Sequence, residues 1–94
     1  MPCVGLLSLE IHFPGSRSLK DKRAVLRSVK DRLRKLNVAF AEVDHHDLLQ
    51  RASLAVAAVG SEPHVVQQSL SSVVAEVERK EAGVVVSSQV EWLS

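Results

Sequence analysis

Aromatic side chains are scarce in this sequence: Phe13, Phe40 and Trp92 are the whole complement, and tyrosine does not occur. A core must therefore be assembled from Val, Leu and Ala. Cysteine is scarcer still. Cys3 stands alone, which excludes a disulfide framework or a cysteine-based zinc centre within one chain. No apolar run approaches the roughly 20 residues that a membrane helix needs. The opening stretch, Met1 to Phe13, lacks a basic leader, and Ser8 and Glu10 interrupt its apolar run, so it does not read as a secretory signal. A cytoplasmic protein with no membrane partner is the expectation. Low-complexity segments, linkers and sequence repeats are also missing.

What is present is an ordinary globular balance, 46% hydrophobic and 24% charged over 94 residues. That length fits one domain, residues 1–94, with no room for a second core. Folding a chain of this size buries roughly 60–70% of its unfolded surface, enough for one core without staples.

Residues 3–13 alternate, with Leu7, Leu9, Ile11 and Phe13 on one face and Ser8, Glu10 and His12 on the other, the period of a half-buried strand. Pro14-Gly15-Ser16 breaks it. Ser18, three residues before Asp21, predicts an N-cap with a capping-box partner. The helix it opens carries Leu26, Val29, Leu33 and Leu36 as its apolar stripe and stops near Asn37. Residues 38–44 and 51–59 read as a second and third strand, joined by His45 to Gln50. Ser61 is the expected N-cap of a second helix with Pro63 in its first turn. Its stripe is Val66, Leu70, Val73 and Val77, and Gly83 is its expected end. Residues 84–93 form a fourth strand, with Val84, Val86, Val90 and Trp92 assigned to one face.

Two βαβ halves joined by a hairpin make an α+β domain, a ferredoxin-like split βαβ sandwich of order β-α-β-β-α-β. Right-handed crossovers favour an antiparallel sheet in the order 4-1-3-2 with both helices on one face. His12, the Pro14–Ser18 turn, the start of the first helix and Asp44–Asp47 then share one end of the sheet. The other sheet face stays open. Val4, Leu6, Val84, Val86, Val90 and Trp92 are expected there, and an apolar patch of that kind predicts a homo-oligomer, a dimer in the simplest case.

Two stretches carry a resemblance. Ser18-Leu19-Lys20-Asp21-Lys22-Arg23, and Ala41-Glu42-Val43-Asp44-His45-His46-Asp47-Leu48 with Gln50-Arg51-Ala52, are similar to the YlxP-like family of small bacterial proteins, with His46 in place of an expected Gln. The likeness runs over nearly the whole chain. It implies a ferredoxin-like fold, a cytoplasmic setting and genes that lie beside those of translation and ribosome assembly. It implies no catalytic residue.

Charge gives the clearest pattern. Nine of the twelve Lys and Arg fall within residues 17–35, where Asp21 and Asp31 are the only acids. That segment carries +7, and the formal net charge of +1 leaves −6 for the remainder. On a helix Lys20, Arg23, Arg27, Lys30 and Arg34 share one arc of about 80°, clear of the apolar stripe. No acid interrupts the arc in sequence, unlike a solvated face built from i, i+4 pairs. One reading is a phosphate-contacting surface. The other is a solubilising face, or one that meets the acidic half of a second copy.

The remaining constellations are weaker. Asp44-His45-His46-Asp47 has metal-ligating residue types, yet adjacent residues of an extended chain point to opposite faces and cannot easily share an ion. A hydrogen-bonded turn, with Asp side chains capping backbone N–H groups, is the preferred reading of the cluster. Ser16, Arg17 and Ser18 precede a helix N-terminus, a place that attracts anions, but P-loop spacing is absent. Acylphosphatases share this architecture without a sequence match here. RNA-recognition domains share it too, but they stack bases on sheet aromatics, and the third strand has none. No Ser-x-x-Lys or Gly-x-Ser-x-Gly spacing occurs, and no pattern implies a cofactor, a metal or a catalytic group. Cys3 reads as a small buried hydrophobe. The expected role is thus that of a non-enzymatic accessory protein touching RNA or a ribosomal particle through Lys20, Arg23, Arg27, Lys30 and Arg34. The alternatives are a self-associating interaction module and, further off, a small hydrolase at the His12/Asp44–Asp47 end.

Overall fold

Alternation in the first residues becomes strand β1 (Cys3–His12), which is followed by α1 (Leu19–Leu33), β2 (Ala39–Asp44), β3 (Arg51–Gly60), α2 (Pro63–Glu78) and β4 (Val84–Trp92). This is a computed structural model, and it describes residues 1–79 and 83–94. The strands form one antiparallel sheet in the order β2-β3-β1-β4, the expected 4-1-3-2. β1 pairs with β3 from Cys3 opposite Gly60 to His12 opposite Arg51. Rows of side chains therefore cross the sheet: Leu9 lies beside Leu54, which lies beside Glu42.

One sheet face carries Leu7, Leu9, Ile11, Leu54 and Val56, all buried against Leu26, Val29 and Leu33 of α1 and Val66, Leu70, Val73 and Val77 of α2. The expected core residues of β1 and of both helices are thus in place. Burying a large aliphatic side chain is worth about 1.5–3 kcal/mol, so this single layer supplies the main folding force. Phe13, just past β1, closes the core at one end and its N–H donates to the Gln50 carbonyl at 2.8 Å.

Several boundaries differ from the sequence reading. α1 stops at Leu33, short of Asn37, and finishes in a tighter turn in which Leu36 N donates to Leu33 O at 3.0 Å. The N-cap of α2 is Glu62 instead of Ser61, because Pro63 takes the first helical position, where its missing N–H costs nothing. α2 also ends at Glu78, with Arg79 extended, so Gly83 is not its terminator. Gly83 serves the sheet instead. A Cβ there would stand 2.7 Å from Phe13 Cε1 and 2.9 Å from Ile11 Cγ2. The backbone must pass that close to the core, and only glycine allows it.

The fourth strand holds the largest correction. A bulge between Glu10 and Ile11 shifts its register: Ser87 lies opposite Glu10 while Val85 lies opposite Ile11, leaving Val86 as the extra residue. Val84 keeps the parity of His12, on the open face. Val90 and Trp92 pair with Leu7 and Gly5 and so lie on the helix side. Trp92 Cζ3 is 3.6 Å from where a Gly5 Cβ would sit, beside Leu70 and Val66. The assignment of Val84, Val86, Val90 and Trp92 to one face therefore fails, and the open face loses its only aromatic candidate.

Candidate nucleic-acid interface

The cationic arc exists because α1 begins and turns as its sequence directs. Ser18 adopts extended backbone and its Oγ accepts from Asp21 N at 3.0 Å, which fixes the first turn. Asp21 Oδ2 in turn accepts from Arg17 N at 3.2 Å, one residue beyond the usual capping-box partner. From that start Lys20, Arg23 and Arg27 project into solvent. Arg23, Arg27, Lys30 and Arg34 line a shallow depression with Leu26 and Glu42.

Glu42 changes the electrostatics of the arc. It alternates with Ala41 and Val43 on β2, so it faces the helices, and its Oε1 lies 3.4 Å from Lys30 Nζ. Arg34 meets Asp31 at 2.5 Å and spreads its guanidinium 5.8 Å above the Phe40 ring. Such pairing lowers what either cation can offer a phosphate. Lys20, Arg23 and Arg27 have no acidic partner among the described residues. Outside the arc, Arg32 binds Glu76 of α2 through both its carboxylate and its carbonyl, locking the helices together.

The Ser16–Ser18 segment is tied down within the chain. Ser16 is buried, its N–H donates to Phe13 O at 3.1 Å and its carbonyl accepts from Gln50 Nε2 at 3.1 Å. With Arg17 and Asp21 N–H groups also engaged, the Asp21 carboxylate stands where an external anion would approach. Arg17 itself is exposed.

The sequence reading missed Lys22. It is 2% exposed, and its ammonium donates to His45 O at 2.5 Å and Leu48 O at 2.7 Å. Burial pushes it below its ordinary value, opposed by the nearby Glu42 and Asp47 and assisted by Arg23. The signal was available: positions 22, 26, 29 and 33 are one stripe at helical spacing, and Lys22 simply continues the apolar row. The two stretches that carry the family resemblance thus meet in space. Lys22 clasps the β2–β3 connection, and Gln50 clasps the turn after β1.

The His12 end has its own polar network. His45, at a positive φ of 62°, turns its Nε2 to within 3.3 Å of Glu10 Oε2, and Arg51 reaches the same oxygen at 3.5 Å. Ser53 Oγ donates to Glu10 Oε1 in a short contact. His45 N donates to Asp44 Oδ1 at 2.7 Å, the expected turn bond. His46 and Asp47 are exposed, and His12 is half-buried between Arg51 and Val84.

The aromatic residues avoid the open sheet face. Phe13 is buried, Phe40 lies under Arg34 on the helix side, and Trp92 shares that side. No helix among the described residues is long and apolar enough to cross a membrane.

The chain is similar in structure to a C-terminal segment of the alpha subunit of aIF2 from Pyrococcus abyssi, with a TM-score of 0.54 and 18% identity. The match covers 97% of this chain and 49% of that one, so this chain spans about half the other's length. At that identity the likeness is one of fold. No curated protein matches the sequence. Residues 4–90 match the family described as Protein of unknown function (DUF503), and the chain belongs to that family.

Proposed function

We propose that the protein is a non-enzymatic accessory factor that contacts structured RNA, alone or within a ribosomal particle, through the exposed face of α1. The observation that carries this reading is the row Lys20, Arg23 and Arg27, three solvent-facing cations at one-turn and two-turn spacing without an acidic partner among the described residues. Backbone phosphates ask for little more than this. Arg34, spread over Phe40, flanks the row and can exchange Asp31 for a phosphate at modest cost, since both partners of that pair are largely solvated. The finer resemblance to the YlxP-like family supports the same setting, because it implies a bacterial cytoplasmic protein whose gene lies beside those of translation and ribosome assembly. The open sheet face, bare of aromatic rings, gives no platform for stacked bases.

The test is fluorescence anisotropy of a labelled RNA hairpin titrated with the protein over a range of salt concentrations. Three phosphate contacts release counterions with a log–log slope of about −2 to −3. That slope supports the reading. Absence of binding at low salt, or a slope near zero, would overturn it.

A further inference from the structure

The sheet has two edges, and they are built differently. The β2 edge is six residues long, carries Glu42 and Asp44, and is irregular between them. Short length and clustered charge are usual defences of a strand edge, whereas a bulge is common to both edges, Val86 being the extra residue of β4. The β4 edge has nine residues, and its only charge is Glu91. From Ser87 to Trp92 it runs against β1 in unbroken register, so its outer backbone groups form a regular open ladder. Val86 and Val90 stand beside that ladder, 52% and 37% exposed.

The neighbouring helix is also free of charged side chains up to its last turn, where Glu76 and Glu78 stand. Between Val65 and Ala75 α2 has no Asp, Glu, Lys or Arg, although this stretch includes its exposed residues Gln67, Gln68, Ser71 and Ser72. Gln67, Ser71 and Val74 face Ser88 and Val90 across a groove between helix and strand. A solvated helix of this length would ordinarily carry charged pairs on its outer face. Depletion of charge around a few exposed apolar anchors is the composition of an interface core.

We propose that the β4 edge and the adjoining face of α2 bind a second copy of this chain, β4 against β4, antiparallel about a two-fold axis. In such an isologous contact every group near the axis meets its own kind, so a charged patch would repel itself. The α1 face, with Lys20, Arg23 and Arg27, fails that condition, and the neutral β4–α2 surface meets it. A two-fold through Ser88 sets Ser87 opposite Gln89 of the second copy, brings the bulge residue Val86 beside its Val90, and keeps Glu91 away from its own counterpart. The two four-stranded sheets then form one continuous sheet with the α2 helices side by side. The cationic faces of α1, which lie over β2, stay at the two outer ends. This inference does not rest on the RNA reading, and either can fail alone.

Sedimentation velocity of the full chain tests it, on the parent and on Val90→Lys and Val86→Lys. The parent should sediment at twice the 10.3 kDa chain mass in the micromolar range, and each folded variant at the single mass. In the parent, amide exchange along residues 86–92 should slow as concentration rises, a readout that needs no variant to fold. A parent that remains monomeric at high micromolar concentration would overturn the proposal. So would a dimer that both Lys variants leave intact while Val43→Lys, on the β2 side, breaks it. Concentration-dependent protection confined to β2 would do the same.

Discussion

Replacing Lys22 by Met removes an ammonium while keeping a flexible chain of similar length in the same slot. The ammonium is buried and donates to two carbonyls, His45 O at 2.5 Å and Leu48 O at 2.7 Å, in the connection that leads from β2 to β3. Hydrogen bonds to a charged group contribute about 1.5–3 kcal/mol each in net terms. Against this stands the cost of holding an ion out of water, several kcal/mol before its partners repay it. The Met variant escapes that cost but leaves two carbonyls without their donor, so a net loss of about 2 kcal/mol is expected. For a domain of this size that lowers the melting temperature by about 8–16 °C. Urea denaturation should show a lower midpoint with an unchanged slope. The pH dependence gives a second handle. Lys22 titrates near 10.5 when unfolded and lower when folded. Between those two values the unfolded state binds the extra proton, so this group adds stability as pH rises through the window. The parent's advantage over Lys22→Met should therefore grow as pH approaches 10.5 and then level off, because a neutral amine still has N–H groups for both carbonyls. A Met variant as stable as the parent at neutral pH would refute the clasp.

Other outcomes follow from single contacts. Gly83→Ala forces a methyl group against Phe13 and Ile11 and should cost about 1–3 kcal/mol in chemical denaturation. Glu42→Gln releases Lys30 from its ion pair, so the salt slope of RNA binding should steepen by about 0.7–0.9, one further phosphate contact. Dilution should convert the parent, but neither Lys variant of β4, from a double to a single mass in sedimentation.

Local order was the legible part of this sequence. The alternation of Leu7, Leu9 and Ile11, the cap at Ser18 and the stripe of Val66, Leu70, Val73 and Val77 each express a short-range rule, and each holds in the fold. The topology followed from chirality and the hairpin between β2 and β3. What stayed hidden depends on contacts between distant segments. The side of the sheet that Val90 and Trp92 occupy is set by a bulge opposite Glu10 and Ile11, which no alternation pattern within β4 announces. Glu42 enters the cationic arc from another strand and pairs Lys30, while Asp31, a neighbour of the arc on α1 itself, pairs Arg34, so an arc drawn from cations alone shows five free where two are paired. Lys22 was readable from its spacing, but a lysine on an apolar stripe looks like a surface residue until its two carbonyl partners are known. Gly83 resembles a helix terminator in sequence because glycine serves both turns and close approaches.

The central claim is that the exposed face of α1 contacts phosphates, and the salt slope of RNA binding in the Lys20/Arg23/Arg27→Gln triple variant tests it most directly. These side chains are solvated, so circular dichroism and thermal stability should match the parent. The slope should fall by about two to three units, with affinity lost evenly across RNA sequences because backbone contacts position without specifying. Tight RNA binding with an unchanged slope in a folded triple variant would contradict the account and place the contact elsewhere on the protein.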